Sequence, residues 1–138
     1  VSEGVRPMLA VSADVRPVRR VLIAYSGSSE SAKTMKRFVQ MRPWDGIETK
    51  IVTFRTPHGD PGELLEDSAA YVRAHGYEVE TDFVDQPGRS GLLPYADQWD
   101  ADVIVIGNSA QKTFFRKMFG ETALNAMRNS QRTLFLSQ

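Results

Sequence analysis

DVIVIGNSAQKTFFRKMFGET, residues Asp102 to Thr122, decides the fold. Val103-Ile104-Val105-Ile106 is a run of four β-branched residues without polar alternation, the pattern of a strand covered on both faces of a parallel sheet. The run stops at Gly107. A polar loop carrying Lys112, Arg116 and Lys117 follows, and Gly120 stands at the start of a second helical pattern. A strand feeding a loop and then a helix N-terminus at the carboxyl edge of a parallel sheet is where such folds bind anions and nucleotides.

Outward from that stretch, strands and helices alternate. Val21 to Tyr25 is a second continuous apolar run suited to the sheet centre, and it ends in Ser26-Gly27-Ser28-Ser29-Glu30-Ser31. Ser28 is a good N-cap for a helix with Ala32, Met35, Phe38 and Val39 on one face, closed by Pro43. Ile51 to Phe54 forms the next strand. After the loop Arg55 to Gly59, Asp60-Pro61-Gly62-Glu63 supplies an N-cap, a first-turn proline and a capping-box glutamate. Leu65, Ala69 and Val72 share the inner face of that helix, and Gly76 ends it.

Tyr77 to Val84 alternates with the period of an edge strand that has one face exposed. A short helix is expected within Leu92 to Trp99, with Pro94 in its first turn because a helix interior would lose a hydrogen bond there. A last helix from Gly120 to Asn129, with Ala123, Ala126 and Met127 inward, leads to the strand Thr133 to Leu136. This alternation predicts a three-layer, doubly wound α/β open sheet of five parallel strands with right-handed crossovers.

Composition narrows the function. The 138 residues carry 17 basic and 17 acidic side chains, a balance that does not suit a nucleic-acid binder. With no cysteine, a disulfide framework and a thiolate metal site are excluded. No apolar run spans a bilayer and the N-terminus lacks a signal-peptide pattern, so a cytoplasmic protein without membrane contact is expected. His58 and Asp60 could form a metal pair, but two ligands without further partners leave an ordinary loop, and no metal site is expected. No nucleophile with a base partner, paired catalytic carboxylates or Walker lysine motif is present, so no catalytic residue is assigned and the expectation is a protein that is not an enzyme.

Gly107-x2-Ala110-x9-Gly120-Glu121-Thr122 resembles the Gly-x2-Gly-x9-Gly-Ser/Thr signature of the universal stress protein family, whose nucleotide-binding members use it to hold ATP phosphates. Asp102 to Gly107 is similar to the strand that precedes it in that family, and the resemblance runs from Arg20 to Gln138. It implies the adenine nucleotide alpha hydrolase-like strand order 3-2-1-4-5, with the switch point between the first and fourth strands. It also implies a candidate nucleotide site at Ser26, Gly107, Ser109, Ala110, Lys112, Gly120, Glu121 and Thr122.

Three of these positions depart from the family pattern. Ser26 stands where the family usually has aspartate, Ala110 replaces a glycine, and Glu121 replaces a hydroxyl residue at a helix end that should attract phosphate. The expectation is a regulatory or stress-response module with a degenerate nucleotide site and no resident cofactor. The alternative is an ATP-binding member that senses nucleotide state. A third reading starts from Ser26 to Ser31, which looks like the Ser-Gly-Gly-x-Asp-Ser loop of ATP pyrophosphatases, although its second glycine and its aspartate are absent.

Residues 1–19 stand apart from the domain at 20–138. They read either as an ordinary tail or, because Arg6 to Ser12 is loosely similar to Arg132 to Ser137, as the last strand of a preceding repeat with a linker from Ala13 to Arg19. Universal stress proteins often occur as tandem domains, and the resemblance implies a homodimer or tandem pairing through the fifth strand. Met8 to Val11 is therefore expected to form an extra strand paired with Leu134 to Leu136, from the same chain or a neighbour.

Overall fold

The computed structural model describes residues 7–10, 17–107 and 133–137. In chain order the elements are β1 (Pro7–Ala10), β2 (Arg20–Ala24), α1 (Ser29–Met41), β3 (Glu48–Thr53), α2 (Pro61–Ala74), β4 (Val79–Phe83), α3 (Gly88–Trp99), β5 (Val103–Ile106) and β6 (Thr133–Ser137). They form one sheet in the order β1-β6-β5-β2-β3-β4. The pairs β4–β3, β3–β2 and β2–β5 are all parallel, which is the 3-2-1-4 part of the expected order. β6 lies parallel beside β5, and β1 runs antiparallel outside it. The expected helix over Gly120 to Asn129, and Val11 at the end of the expected first strand, lie outside the described residues.

The capping chemistry places the helices. Ser28 accepts a hydrogen bond from the Ser31 N–H at 3.1 Å, and Asp60 accepts one from the Glu63 N–H at 3.0 Å with Pro61 in the first turn. Both ends therefore begin where a side-chain oxygen can satisfy an orphan backbone donor.

Helix α3 differs from the expectation. It starts at Gly88, so Pro94 sits inside it rather than in its first turn. The carbonyl that a residue 94 N–H would have bonded belongs to Ser90, which is exposed, so water can serve it. The early start lets Gly91 pack on Phe54, where a Cβ would meet the ring at 2.7 Å.

Strand residues alternate between two cores, which explains the unbroken apolar runs. Val21, Ile23, Ile51, Val103 and Val105 join Met35, Phe38, Val39, Leu65, Ala69 and Val72 from α1 and α2. Leu22, Val52, Ile104 and Ile106 face the other way, onto Leu92 and Ala96 of α3. With both faces buried, the central strands are apolar over most of their length, and the polar residues they do bury are the small Thr49 and Thr53 of β3. The edge strand β4 keeps only Val79 buried, and Phe83, on the face expected to turn inward, is 42% exposed.

At the amino edge of the sheet, charge fastens the strands. The buried Asp102 carboxylate accepts from the Arg19 and Arg20 backbone N–H groups at 2.8 and 2.9 Å. Arg20 pairs with Glu48 at 2.8 Å and donates to the Trp99 carbonyl at 2.8 Å. No described helix is long and apolar enough to cross a membrane.

Candidate functional site

The carboxyl ends of β2, β3 and β5 enclose a cleft of about 360 Å³. Its floor is apolar, made by Ala24, Val52, Phe54 and Ile106 with Leu92 of α3 beneath the rim. It lies at the point where chain connections diverge from β2 to β3 on one side and to β5 on the other, as expected for this topology. The volume falls in the range of small-molecule sites.

The loop leaving β2 builds one wall. Gly27 holds φ +83°, and a Cβ there would also meet Leu64 at 2.9 Å, so the tight turn requires glycine. That turn folds Ser26 back onto the start of α1. The Ser26 hydroxyl lies 3.0 Å from that of Ser28 and 3.3 Å from that of Ser31, and the Ser28 and Ser31 hydroxyls are 3.2 Å apart.

Proton bookkeeping within this triangle closes on itself. The Ser31 hydroxyl can donate to the Ser28 carbonyl at 3.0 Å, Ser28 to the Ser31 oxygen, and Ser26 to the Ser28 oxygen. Each hydroxyl carries one donor, so the three protons are taken up inside the cluster. The Ser26 and Ser28 N–H groups also point inward, to the Ser31 and Ser26 oxygens at 3.3 Å each. Thr56 donates to the Ser26 carbonyl at 2.7 Å and fixes the loop to the end of β3. The cluster is neutral, and its hydroxyl protons are committed within it.

Gly107 lines the same cleft at the end of β5. A Cβ at this position would come within 2.6 Å of the Ser31 nitrogen and 2.7 Å of the Glu30 carbonyl carbon. Glycine is therefore required by the contact between strand and helix, independently of any ligand. Of the site residues read from the sequence, Ser26 and Gly107 are brought together here; Ser109, Ala110, Lys112, Gly120, Glu121 and Thr122 lie outside the described residues.

The far wall was missed by sequence reasoning. Arg55 and His58 line it from the loop after β3, a stretch read as an ordinary connection. Arg55 is held by Asp85, to the carboxylate at 2.8 Å and the carbonyl at 3.1 Å, and its own N–H donates to the Gln86 carbonyl. The signal was present: β3 neighbours β2, so its carboxyl end must open on the same switch point. Tyr25 also borders the cleft, and burial, reinforced by the Asp67 carboxylate, raises its phenol above the ordinary value and keeps it neutral. Among the described residues no group of three or more metal-ligating side chains converges; Asp60, half of the pair considered with His58, caps α2 instead.

The sequence pattern of the Universal stress protein family matches residues 55–136. Among solved structures, a universal stress protein in complex with cAMP aligns with a TM-score of 0.66 at 20% identity, covering 86% of this chain and 95% of its own. A universal stress protein from Archaeoglobus fulgidus in complex with dAMP aligns at 0.61 and 16% identity, covering 88% and 98%. A family protein from Arabidopsis thaliana with AMP bound aligns at 0.61 and 11% identity, covering 86% and 90%. No match was found among curated proteins.

Proposed function

Because the chain belongs to the universal stress protein family, we propose that it is a regulatory module acting by binding and assembly rather than catalysis, with a nucleotide site altered away from ATP. The observation that carries this reading is the serine triangle. Where a carboxylate at residue 26 would offer acceptors to ligand hydroxyls, Ser26 instead commits its hydroxyl proton to its own helix cap. A ligand that needs a proton from these hydroxyls gains it only by breaking a bond that the protein already makes, and such an exchange contributes little net free energy. Ala110 and Glu121 weigh in the same direction, since the family pattern has a glycine at the first position and a hydroxyl residue at the second, and this chain has an added methyl group and a negative charge instead.

Assembly is the second half of the reading. β6, Thr133-Leu-Phe-Leu-Ser137, carries no charge to discourage strand pairing, so it is the strand onto which a second domain would join the sheet, in the place that β1 takes here.

A second reading is favoured by the cleft itself. Its apolar floor and volume suit a planar base, and the relatives named above were solved with cAMP, dAMP and AMP. On this reading an adenine nucleoside monophosphate enters the cleft, and the protein senses nucleotide state through its occupancy.

The double variant Ala110→Gly/Glu121→Ser separates the causes. Titration with magnesium and ATP should show measurable binding where the wild type shows none, because repulsion and steric blockage fall together. No gain would move the obstacle to Ser26. Release of pyrophosphate from ATP by the wild type would instead support an enzyme.

A further inference from the structure

The two edges of the sheet are protected differently. β4, Val79-Glu-Thr-Asp-Phe83, carries Glu80 and Asp82 along its length, and charges on an edge strand oppose pairing with another chain. β6 has no such protection, yet it is not the edge: β1 covers it antiparallel, with Met8 opposite Leu136, Leu9 opposite Phe135 and Ala10 opposite Leu134. β1 is itself a blunt edge. It is four residues long and begins with Pro7, which has no N–H to donate.

The connection is compatible with closure inside one chain. Ala10 lies opposite Leu134, near the start of β6, so β1 ends at the amino edge where β2 begins. Three strand spacings, about 14 Å, separate β1 from β2. Residues 11–19 can span up to about 30 Å. The Asp102 carboxylate, at the foot of β5, holds the Arg19 and Arg20 amides on the side of β2 that faces β6 and β1. A tethered strand competes at an effective concentration on the order of millimolar, far above that of a second molecule in dilute solution.

We propose that β1 is a self-supplied cap that competes with a second copy of the chain for β6, so that release of β1 converts a monomer into a dimer joined through β6. This rests on the assembly half of the reading above.

The chain has no cysteine, which permits a clean test. Leu9 and Phe135 are directly opposed, and opposed residues of an antiparallel pair lie within about 4.5–5.5 Å between Cα atoms, inside the disulfide range. The variant Leu9→Cys/Phe135→Cys, oxidised in dilute solution, should give an intrachain disulfide and stay monomeric on a non-reducing gel and by sedimentation. Leu9→Pro in the full chain, which removes a donor from β1, should sediment as a dimer at concentrations where wild type is monomeric, with unchanged circular dichroism. A covalent dimer, or no disulfide, would overturn the cap while leaving assembly through β6 standing. A folded but monomeric Leu9→Pro chain, alongside an intrachain disulfide, would overturn the competition and the assembly reading with it.

Discussion

The two ends of the parallel strands are built from opposite materials. At the amino edge, the Asp102 carboxylate binds two backbone amides and the Arg20 guanidinium joins Glu48 to the Trp99 carbonyl. At the carboxyl edge three neutral serine hydroxyls satisfy one another and Gly107 presses directly on the first turn of α1. Charge-assisted hydrogen bonds are roughly twice as strong as neutral ones. The amino edge is therefore the fastening, and the carboxyl edge is a shaped cleft in which, among the described residues, the serine hydroxyl protons are already committed. Among the described residues, Arg55 is a cation on its rim, and it is already matched by Asp85.

The comparison breaks most readily at Gly107. Gly107→Ala places a methyl group within 2.6 Å of backbone that cannot move independently of α1. Destabilisation of about 3 kcal/mol or more is expected, at the upper end for overpacking, measured as a lowered denaturant midpoint. Near wild-type stability would mean that β5 and α1 are not in contact at this point.

The next test sets the edges against each other. Asp102→Ala leaves two backbone donors at the amino edge without their carboxylate and should cost about 2 kcal/mol, whereas Ser26→Ala should cost less than about 1 kcal/mol. Equal losses would remove the distinction between a charged fastening and a neutral wall.

Part of this contrast was legible in the sequence. The strands at Val21 and Val103, the cap at Ser28 and the Asp60-Pro61 helix start each follow from local chemistry and stand in the structure as read. The start of α3 did not, because it is decided by the packing of Gly91 on Phe54, residues 37 positions apart in the chain, and not by the local rule for Pro94. In the site, the turn at Gly107 after a buried strand is a local pattern, whereas Ser26 was marked by the resemblance to the family's turn. Sequence reasoning missed Arg55 and His58 because their loop carries no motif, although the implied strand order already set that loop beside Ser26. The closed serine triangle was out of reach, as it depends on the fold-back at Gly27.

The smallest effect concerns a tyrosine between the two edges. Tyr95 packs edge-to-face on Phe54 and donates to Asp82 at 2.7 Å. Burial first, and that hydrogen bond second, push its phenol well above its ordinary value. A group with a raised folded value contributes stability in full below its unfolded value, about pH 10, and loses it as pH rises through the folded one. Stability should therefore fall above about pH 10, and Tyr95→Phe should flatten that fall while costing at most about 1 kcal/mol at neutral pH. An unchanged alkaline slope would show that Tyr95 does not carry it.

On the function proposed above, the carboxyl-edge cleft, with Ser26 committed to its own helix cap, does not hold ATP. Isothermal titration of the wild-type protein with magnesium and ATP, at nucleotide concentrations in the micromolar range, tests it most directly. The account predicts no saturable heat. A clear one-site isotherm, weakened by Lys112→Ala through loss of a charged hydrogen bond to phosphate, would contradict it.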